Sequence, residues 1–519
     1  MSLIRATATI GSLTLLSRIA GFVRDVLQAT LLGAGMAADA FLIAQRLPNL
    51  FRALFAEGAF ASAFVPMFNR QVGAEGGRLD GARRFAEDVL SVLLPVLVVF
   101  TVVMVVAAGP VVWALTGGFP DASPEKFALT VDFTRLTFPY LALISLVSLL
   151  GGLLNSVGRF AVNAAAPILL NLVLIAGLLW SGGGDEVRAG RVQALCVTLG
   201  GAAQLVWLMW SCRRAGISLK LRWPQLTPQV RTLMRLILPA ALGAGAVQVN
   251  LLISTALAAR FLGEGAVSWL YYADRLNQLP LGIIGIGVGT ALLPTMSRLI
   301  GAQDAPAAIA QQNRAIELVL LLTLPAAAGL ALLSVPIINV MFEHGQFTAA
   351  DTAATAAALS AFALGLPAYV LIKVLTPGFH ARGDTATPVR VALGAMLVNL
   401  VANLILVWPL GHVGIAVGTA ISAWSNAGVL AWLLLRRGQF ALDARARRTL
   451  PRFVLATAAM LGALWLAQPL LAGSSTALLA RGLALALLLV TGGLAYLAAA
   501  RALGLFTLAG LKAQLKRKR

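Results

Sequence analysis

Apolar residues occur along the chain in long runs, which short clusters of glycine, proline or charged residues separate. A helix of about 20 apolar residues spans the hydrocarbon core of a bilayer. The pattern predicts fourteen such segments, at roughly 4–32, 37–70, 85–114, 127–157, 162–181, 191–212, 231–262, 266–299, 312–342, 352–381, 388–408, 413–435, 451–471 and 477–503. We therefore expect an all-α polytopic membrane protein with fourteen transmembrane helices.

The first two segments differ from the others because charged residues interrupt them. These residues are Arg18, Arg24, Asp25, Asp39, Arg46, Arg52 and Glu57. A charge at membrane depth costs roughly 2.5–3.5 kcal/mol on insertion scales, so it usually faces a partner or a watery cavity inside the bundle. At 100° per residue, Asp39, Arg46 and Glu57 share one helical stripe, and Arg18 and Asp25 share another. We interpret the stretch as the lining of a cationic cavity, although mutual pairing that only holds two helices together is an alternative.

Composition agrees with a membrane protein. Of the 519 residues 59% are hydrophobic and 12% are charged, and the mean hydropathy is +0.87, whereas soluble proteins carry about a quarter charged residues. A β-barrel would show alternating segments of about ten residues. The net charge is +20, and the basic residues lie mainly in short loops and the C-terminal tail. This distribution fits contact with anionic lipid headgroups better than binding of nucleic acid. The positive-inside rule then predicts that both termini are cytoplasmic.

An internal repeat appears when segments six apart are paired. The spacing is about 228 residues, and it aligns AQRLPNL (44–50) with ADRLNQL (273–279) and LLNLVLI (169–175) with LVNLVAN (397–403). Six helices per repeat give both halves one orientation, so we predict two six-helix lobes related by a pseudo-two-fold axis along the membrane normal. A substrate path is expected at their interface.

The repeat also predicts the domain boundaries. The N-terminal lobe would cover 1–222, the C-terminal lobe 223–440, and two additional helices with a basic tail 441–519. In the second lobe, Asp274 and Arg275 lie at membrane depth, and Arg275 is the repeat counterpart of Arg46. The two additional helices would either supply an apolar groove for a lipid tail or simply stabilise the bundle.

The residue types suggest an anionic cargo. Arginine stays charged at physiological pH, and its planar fork donates two parallel hydrogen bonds to phosphate. No Walker-type phosphate loop is present, which argues against direct use of ATP, and neither the histidines nor Cys196 and Cys212 show metal-ligand spacing. Asn399, Asn403 and Thr419 offer neutral oxygens for a monovalent cation, but we favour hydrogen-bonded cross-linking of helices.

Several motifs carry a family resemblance. They are SRIAGFVRD (17–25), the acid of ADAF (38–41), RLPNLFRALFAEGAFASAFVPMF (46–68) and SWLYYADRLNQLPLGIIGIGVGTALLPTMSR (268–298). With the fourteen-segment layout, they resemble the MurJ (MviN) family of bacterial lipid II flippases, in the multidrug/oligosaccharidyl-lipid/polysaccharide exporter superfamily. The resemblance extends over nearly the whole chain.

The resemblance implies that the protein moves lipid II, the undecaprenyl-diphosphate-linked peptidoglycan precursor, from the cytoplasmic to the periplasmic leaflet of the inner membrane by alternating access. It implies that Arg18, Arg24, Arg52 and Arg275 engage the diphosphate, and that Asp25, Asp39 and Glu57 stabilise helices or gates, with Ser17 and Ser268 beside them. From the repeat we add Arg46 to the substrate-binding set and Asp274 to the charge partners.

Cofactors, partners and rival functions complete the expectation. We expect no cofactor, a monomer, and lipid II, membrane lipids and cell-wall synthesis proteins as partners. Sodium and the membrane potential are both candidates for coupling. Asn399, Asn403 and Thr419 include no carboxylate, which argues against a sodium site, and coupling to the membrane potential stays open. The nearest rivals are a polysaccharide-lipid flippase and a drug/cation antiporter of the same superfamily. A polytopic glycosyltransferase would need clustered acids in a large loop, and a non-transporting scaffold would tolerate neutralised charges.

Overall fold

The computed structural model describes residues 3–55, 59–74, 80–116, 123–471 and 477–505. Within these ranges the chain forms helices and no strand. In order they are α1 (Leu3–Leu32), α2 (Met36–Phe55), α3 (Ala59–Ala74), α4 (Asp80–Val106), α5 (Ala108–Leu115), α6 (Pro124–Thr137), α7 (Tyr140–Ser156), α8 (Phe160–Ser181), α9 (Glu186–Arg214), α10 (Pro228–Phe261), α11 (Ala266–Gly301), α12 (Ala305–Leu332), α13 (Ser334–Phe342), α14 (Ala349–His380), α15 (Ala386–Arg436), α16 (Ala444–Leu471) and α17 (Leu478–Ala502).

The helices have the length and composition of membrane-spanning segments. Within the described ranges, nine stretches are long and apolar enough to cross a bilayer, by length and composition alone. They include α4, α6 with α7, α8, α9, α12 and each of the helices from α14 to α17. An all-helical polytopic membrane fold is thereby confirmed, while the total of fourteen helices stays a prediction.

Single non-helical residues interrupt several of the long apolar segments. Gly411 divides α15 with φ 56° and ψ −134°, a conformation that glycine adopts readily because it has no Cβ. This break lies between the predicted segments 388–408 and 413–435. Single non-helical residues, Ala107 and Leu333, separate α4 from α5 and α12 from α13, so each of these predicted segments is two helices.

The chain divides into two compact units. Unit 1 comprises residues 1–268 and 344–348, and unit 2 comprises 269–343 and 349–519. The division runs through α11 after Ser268, and it assigns the short turn between α13 and α14 to unit 1. The lobe boundaries drawn from the repeat stay a prediction.

Unit 1 is built around α9, which packs against α8, α7, α6 and α2. The α1 helix packs along α8, and α10 packs against α2 and α3. A column of aromatic rings fills the space between α3 and α4: the rings of Phe60, Phe64 and Phe68 follow one another at 5.1 and 5.8 Å, and Phe85 stacks on Phe64 at 5.5 Å. Contacts between aromatic rings stabilise the packing by about 0.5–1.5 kcal/mol per pair beyond the effect of burying the rings.

Unit 2 contains the last two helices as packed members. α16 and α17 pack on each other, and α16 also packs against α12. The Tyr496 hydroxyl of α17 donates to the Leu321 carbonyl at 2.6 Å. At the start of α16, Thr449 Oγ1 donates to the buried Glu317 of α12 at 2.7 Å, and Arg314 pairs with both Glu317 and Asp443. These contacts fix α16 to α12.

Candidate functional site

Arg24 and Asp25 form a buried ion pair on α1. Arg24 Nη2 and Nε donate to Asp25 Oδ1 at 2.6 and 3.1 Å, and Arg24 Nη1 donates to Asn171 Oδ1 of α8 at 3.1 Å. Arg24 is 7% exposed and Asp25 is 1% exposed. In this structure the Nε, Nη1 and Nη2 atoms of Arg24 each donate to a protein group.

The other residues of the predicted α1 stripe differ from Arg24 and Asp25 in their exposure. The Arg18 side chain is exposed, although Arg18 and Asp25 are two turns apart on one face. Ser17 takes part through its backbone, because its carbonyl accepts a hydrogen bond from Asn171 Nδ2 at 3.1 Å. The predicted stripe therefore runs from an exposed cation to a buried ion pair.

Asp39 is the most enclosed acid among the predicted site residues. Its side chain is 0% exposed. Asp39 Oδ2 accepts from Lys126 Nζ of α6 at 2.7 Å and from the Gly265 amide at 3.0 Å. Asp39 Oδ1 accepts from the Ser268 amide at 2.9 Å and from the Ser268 hydroxyl at 2.7 Å. These four donors satisfy a carboxylate that would otherwise be costly to bury.

Local chain geometry explains why the donors converge on Asp39. Gly265 and Ser268 lie at the N-terminal end of α11, where backbone amides lack helical partners and the helix dipole is positive. Gly265 has a φ of +87°, which favours glycine. Asp39, in the first turn of α2, thus acts as the anion at the start of α11. Ser268 is also the last residue before the chain enters unit 2.

Two other predicted arginines lie on α2. Arg46 Nη1 donates to the Leu251 carbonyl of α10 at 3.2 Å and to the Thr255 hydroxyl. Arg52 Nε donates to Asn49 Oδ1, one helical turn away, at 3.1 Å. Both arginine side chains are half-buried. Glu57, the third member of the predicted α2 stripe, lies outside the described residues.

In unit 2, the predicted charges lie side by side on α11. Asp274 Oδ2 accepts from Gln278 Nε2 at 2.5 Å. The Arg275 guanidinium carbon lies 5.6 Å from the ring centroid of Tyr271, within the range of a cation–π contact. Lys373 of α14 is exposed, and a Cβ built on Gly285 would lie 3.8 Å from its Cγ. The side chain of Lys373 therefore runs along the glycine-rich part of α11.

The three residues predicted for a monovalent cation form a hydrogen-bonded group on α15. Asn403 Nδ2 donates to Asn399 Oδ1 at 3.0 Å, and Asn399 Nδ2 lies 3.4 Å from the Thr419 hydroxyl. Both asparagines are 0% exposed. The group joins the two halves of α15 on either side of Gly411, which is the geometry of an interhelical cross-link. In the described ranges no three His, Cys, Asp or Glu side chains cluster as metal ligands would.

Sequence reasoning missed Lys126, Asn171 and Thr255 as members of the site. Lys126 is 2% exposed and lies just before the predicted segment 127–157. Its position at the very end of an apolar segment was the available signal that this lysine pairs with one of the few acidic residues of the chain. Asn171 lies in an uncharged segment and served only to mark the repeat.

These features define a class of protein: a polytopic helical membrane transporter in which ionisable groups are held inside the helical bundle. The family model described as lipid II flippase MurJ matches residues 28–484, so the chain belongs to the MurJ family. A probable lipid II flippase MurJ of Rhizobium meliloti (strain 1021) is 44% identical over 525 residues, covering 100% of this chain and 97% of the relative.

Solved structures agree at the level of fold. A lipid II flippase MurJ in an inward closed conformation matches with a TM-score of 0.78 and 24% identity, covering 95% of this chain and 97% of that one. An inward-facing multidrug resistance MATE family transporter of the MOP superfamily matches with a TM-score of 0.67 and 16% identity, covering 83% and 97%. The family membership confirms the resemblance found in the sequence motifs, and it confirms a transporter rather than an enzyme.

Proposed function

We propose that this chain flips lipid II from the cytoplasmic to the periplasmic leaflet of the bacterial inner membrane. The observation that carries the proposal is the match to the MurJ family over residues 28–484. The arginines of α1 and α2 give this activity a chemical basis, since guanidinium groups bind phosphate oxygens through paired hydrogen bonds. A polyprenyl tail would stay in the bilayer while the charged head crosses.

The cations would act on the diphosphate in turn as the protein alternates in access. Arg18 is exposed and available to a ligand, whereas Arg24 donates to Asn171 and Asp25 in this structure and would exchange one of these contacts for the diphosphate. Arg46, Arg52 and Arg275 would complete the binding set. The fold shared with an inward-facing MATE transporter supports an alternating-access cycle.

The acids would hold the conformational states. Asp39 joins α2, α6 and the first turn of α11 through four hydrogen bonds. Loss of the bonds to Gly265 and Ser268 would release the start of α11 from α2. Asp25 and Asp274 would orient the neighbouring arginines. Fourteen helices in two pseudo-symmetric lobes, cytoplasmic termini, a monomeric state and contacts with cell-wall synthesis proteins belong to the same proposal.

The coupling ion has its own test. The hydrogen bonds within Asn399, Asn403 and Thr419 favour a structural cross-link, so we expect the membrane potential to drive transport without a specific need for sodium. Translocation would be measured in proteoliposomes with sodium replaced by choline at a clamped potential. We expect rates within about twofold of each other; loss of transport in choline, and in Asn403→Ala with sodium present, would establish a sodium site instead.

Depletion of the protein in its host, with leaflet-specific detection of lipid II, tests the function. We expect lipid II accessible from the periplasm to fall while total lipid II holds or rises. Re-expression of the wild-type chain should restore accessibility. If accessible lipid II stays unchanged while another polyprenyl-linked sugar accumulates, the chain is a polysaccharide-lipid flippase.

A further inference from the structure

One side-chain amide joins α8 to two positions of α1. Asn171 Oδ1 accepts from Arg24 Nη1 at 3.1 Å, and Asn171 Nδ2 donates to the Ser17 carbonyl at 3.1 Å. Asn171 is 7% exposed. Both ends of the amide are therefore used, and both of its partners belong to the charged motif of α1.

The spacing of α1 residues creates the place for this amide. Ser17, Gly21 and Arg24 are separated by four and three residues, so they lie on one helical face. A Cβ built on Gly21 would lie 3.6 to 3.9 Å from the amide atoms of Asn171. The amide thus spans Gly21, bonded to the backbone one turn before it and to the guanidinium one turn after it.

Asn171 also determines where the Arg24 side chain points. Adjacent residues on a helix diverge by about 100°, so Arg24 and Asp25 do not naturally face each other. Arg24 nevertheless turns its Nε and Nη2 toward Asp25 Oδ1. The bond from Nη1 to Asn171 fixes the remaining end of the guanidinium plane, so the side chain is held at both ends.

The chemistry of the holding group is a neutral oxygen. An amide oxygen orients a guanidinium without adding a negative charge, whereas a phosphate oxygen brings the charge and the paired hydrogen-bond geometry that arginine binds most strongly. We propose that Asn171 is a positioning residue that aligns Arg24 and gives up the Nη1 donor when a diphosphate oxygen replaces the amide oxygen. This inference rests on the proposed function, in which Arg24 binds the diphosphate.

Asn171→Asp tests the exchange, because it keeps the shape of the side chain and adds a charge. The purified full chain in detergent would be titrated with undecaprenyl diphosphate, with undecaprenol as the ligand that lacks the diphosphate. We expect Asn171→Asp to lower the unfolding temperature, since a carboxylate oxygen would face the Ser17 carbonyl in place of the Asn171 Nδ2 donor, and to weaken diphosphate binding per folded molecule by about tenfold or more, the size of a lost hydrogen bond to a charged group. If the amide were purely structural, Asn171→Asp would lower the unfolding temperature and leave the affinity per folded molecule at the wild-type value.

A second comparison separates positioning from packing. Gln204 of α9 is another buried amide, 2% exposed, that bonds α8 through the Ala166 carbonyl at 2.9 Å. We expect Asn171→Ala to lower both stability and diphosphate affinity, whereas Gln204→Ala should lower stability alone. Equal affinities of the two variants per folded molecule would overturn the positioning role.

The Arg24→Ala background distinguishes the two proposals. If Asn171 acts through Arg24, adding Asn171→Asp to Arg24→Ala should change the affinity by less than about twofold. If Arg24→Ala itself binds diphosphate like the wild type, the proposed role of Arg24 fails. If Arg24→Ala loses affinity but Asn171→Asp alone does not, only the inference about Asn171 fails.

Discussion

Unit 1 contains two buried ion pairs that are built in different ways. The Asp39–Lys126 pair joins residues 87 positions apart, and its carboxylate also holds the start of α11. The Arg24–Asp25 pair joins adjacent residues of α1, and one amide from α8 completes it. The first pair ties three helices together, whereas the second pair lies within one helix and contacts one neighbouring helix. Buried charge in this protein therefore joins separate helices in one place and holds a cation along a single helix in the other.

Removing Lys126 should produce the largest loss of stability. Lys126→Met leaves the buried Asp39 without its counter-ion, a change that typically costs about 3–5 kcal/mol. Unfolding of the detergent-solubilised protein would measure the loss. Lys220→Met, at an exposed lysine of the linker between α9 and α10, is the matched control and should change stability little.

Neutralising both members of the pair sharpens this result. Adding Asp39→Asn to Lys126→Met removes the uncompensated charge, so we expect part of the lost stability to return. A double variant that is less stable than Lys126→Met would show that the Lys126 charge is not what balances Asp39.

Neutralising Asp25 should cost less than losing Lys126. Asp25→Asn leaves Arg24 without this counter-ion, but the Asn oxygen can still accept from Arg24 and the Asn171 contact stays, whereas Met at position 126 offers Asp39 no donor. We therefore expect a smaller loss, about 1.5–3 kcal/mol, typical of a hydrogen bond to a charged group. The same unfolding measurement applies. A loss equal to that of Lys126→Met would show that the Arg24–Asp25 pair contributes as much to stability as the Asp39–Lys126 pair, and would remove the distinction between them.

The smallest effect is expected at an ion pair outside the membrane segments. Asp384, in the loop before α15, accepts from Thr387 at 2.6 and 2.9 Å and from Arg437 at 2.8 Å. The hydrogen bonds from Thr387 and the charge of Arg437 hold the pKa of Asp384 well below its usual value. A lowered folded-state pKa stabilises the fold above the unfolded-state pKa, and this contribution is lost as the pH falls through the folded-state pKa.

Asp384→Asn provides the measurement for that pair. The stability difference between wild type and variant should be constant above about pH 5 and shrink below about pH 4, near the ordinary pKa of aspartate. A difference that does not depend on pH between 3 and 6 would contradict the assignment of the shift to Asp384.

The sequence allowed the helices to be predicted better than the contacts of the charges. Long apolar runs indicate where helices cross the membrane, and the gap between the predicted segments 388–408 and 413–435 contains Gly411, where the structure breaks α15. Arg24, Asp39 and Arg275 were found because charge is unusual in an apolar helix. Their partners Lys126 and Asn171 were not, since neither hydropathy nor spacing determines which helix packs beside α1 or α2.

The sequence also did not indicate which of the arginines on α1 is exposed and which is buried. Arg18 and Arg24 are six residues apart on α1, yet Arg18 is exposed and Arg24 is buried against Asp25 and Asn171. That difference arises from the packing of α8 along α1, which brings Asn171 opposite Gly21. Helix packing, and not the identity of the arginine, therefore decides which cation is held.

Lipid II translocation in proteoliposomes tests the central claim, that arginines of unit 1 bind the diphosphate during transport. Wild type, Arg24→Ala, Arg52→Ala and the control Arg213→Ala, at an exposed arginine ending α9, would be reconstituted at equal density. We expect Arg24→Ala and Arg52→Ala each to slow translocation by at least about tenfold, the loss expected for a hydrogen bond to a charged group, and Arg213→Ala to match wild type. Translocation at the wild-type rate by both Arg24→Ala and Arg52→Ala would contradict the account.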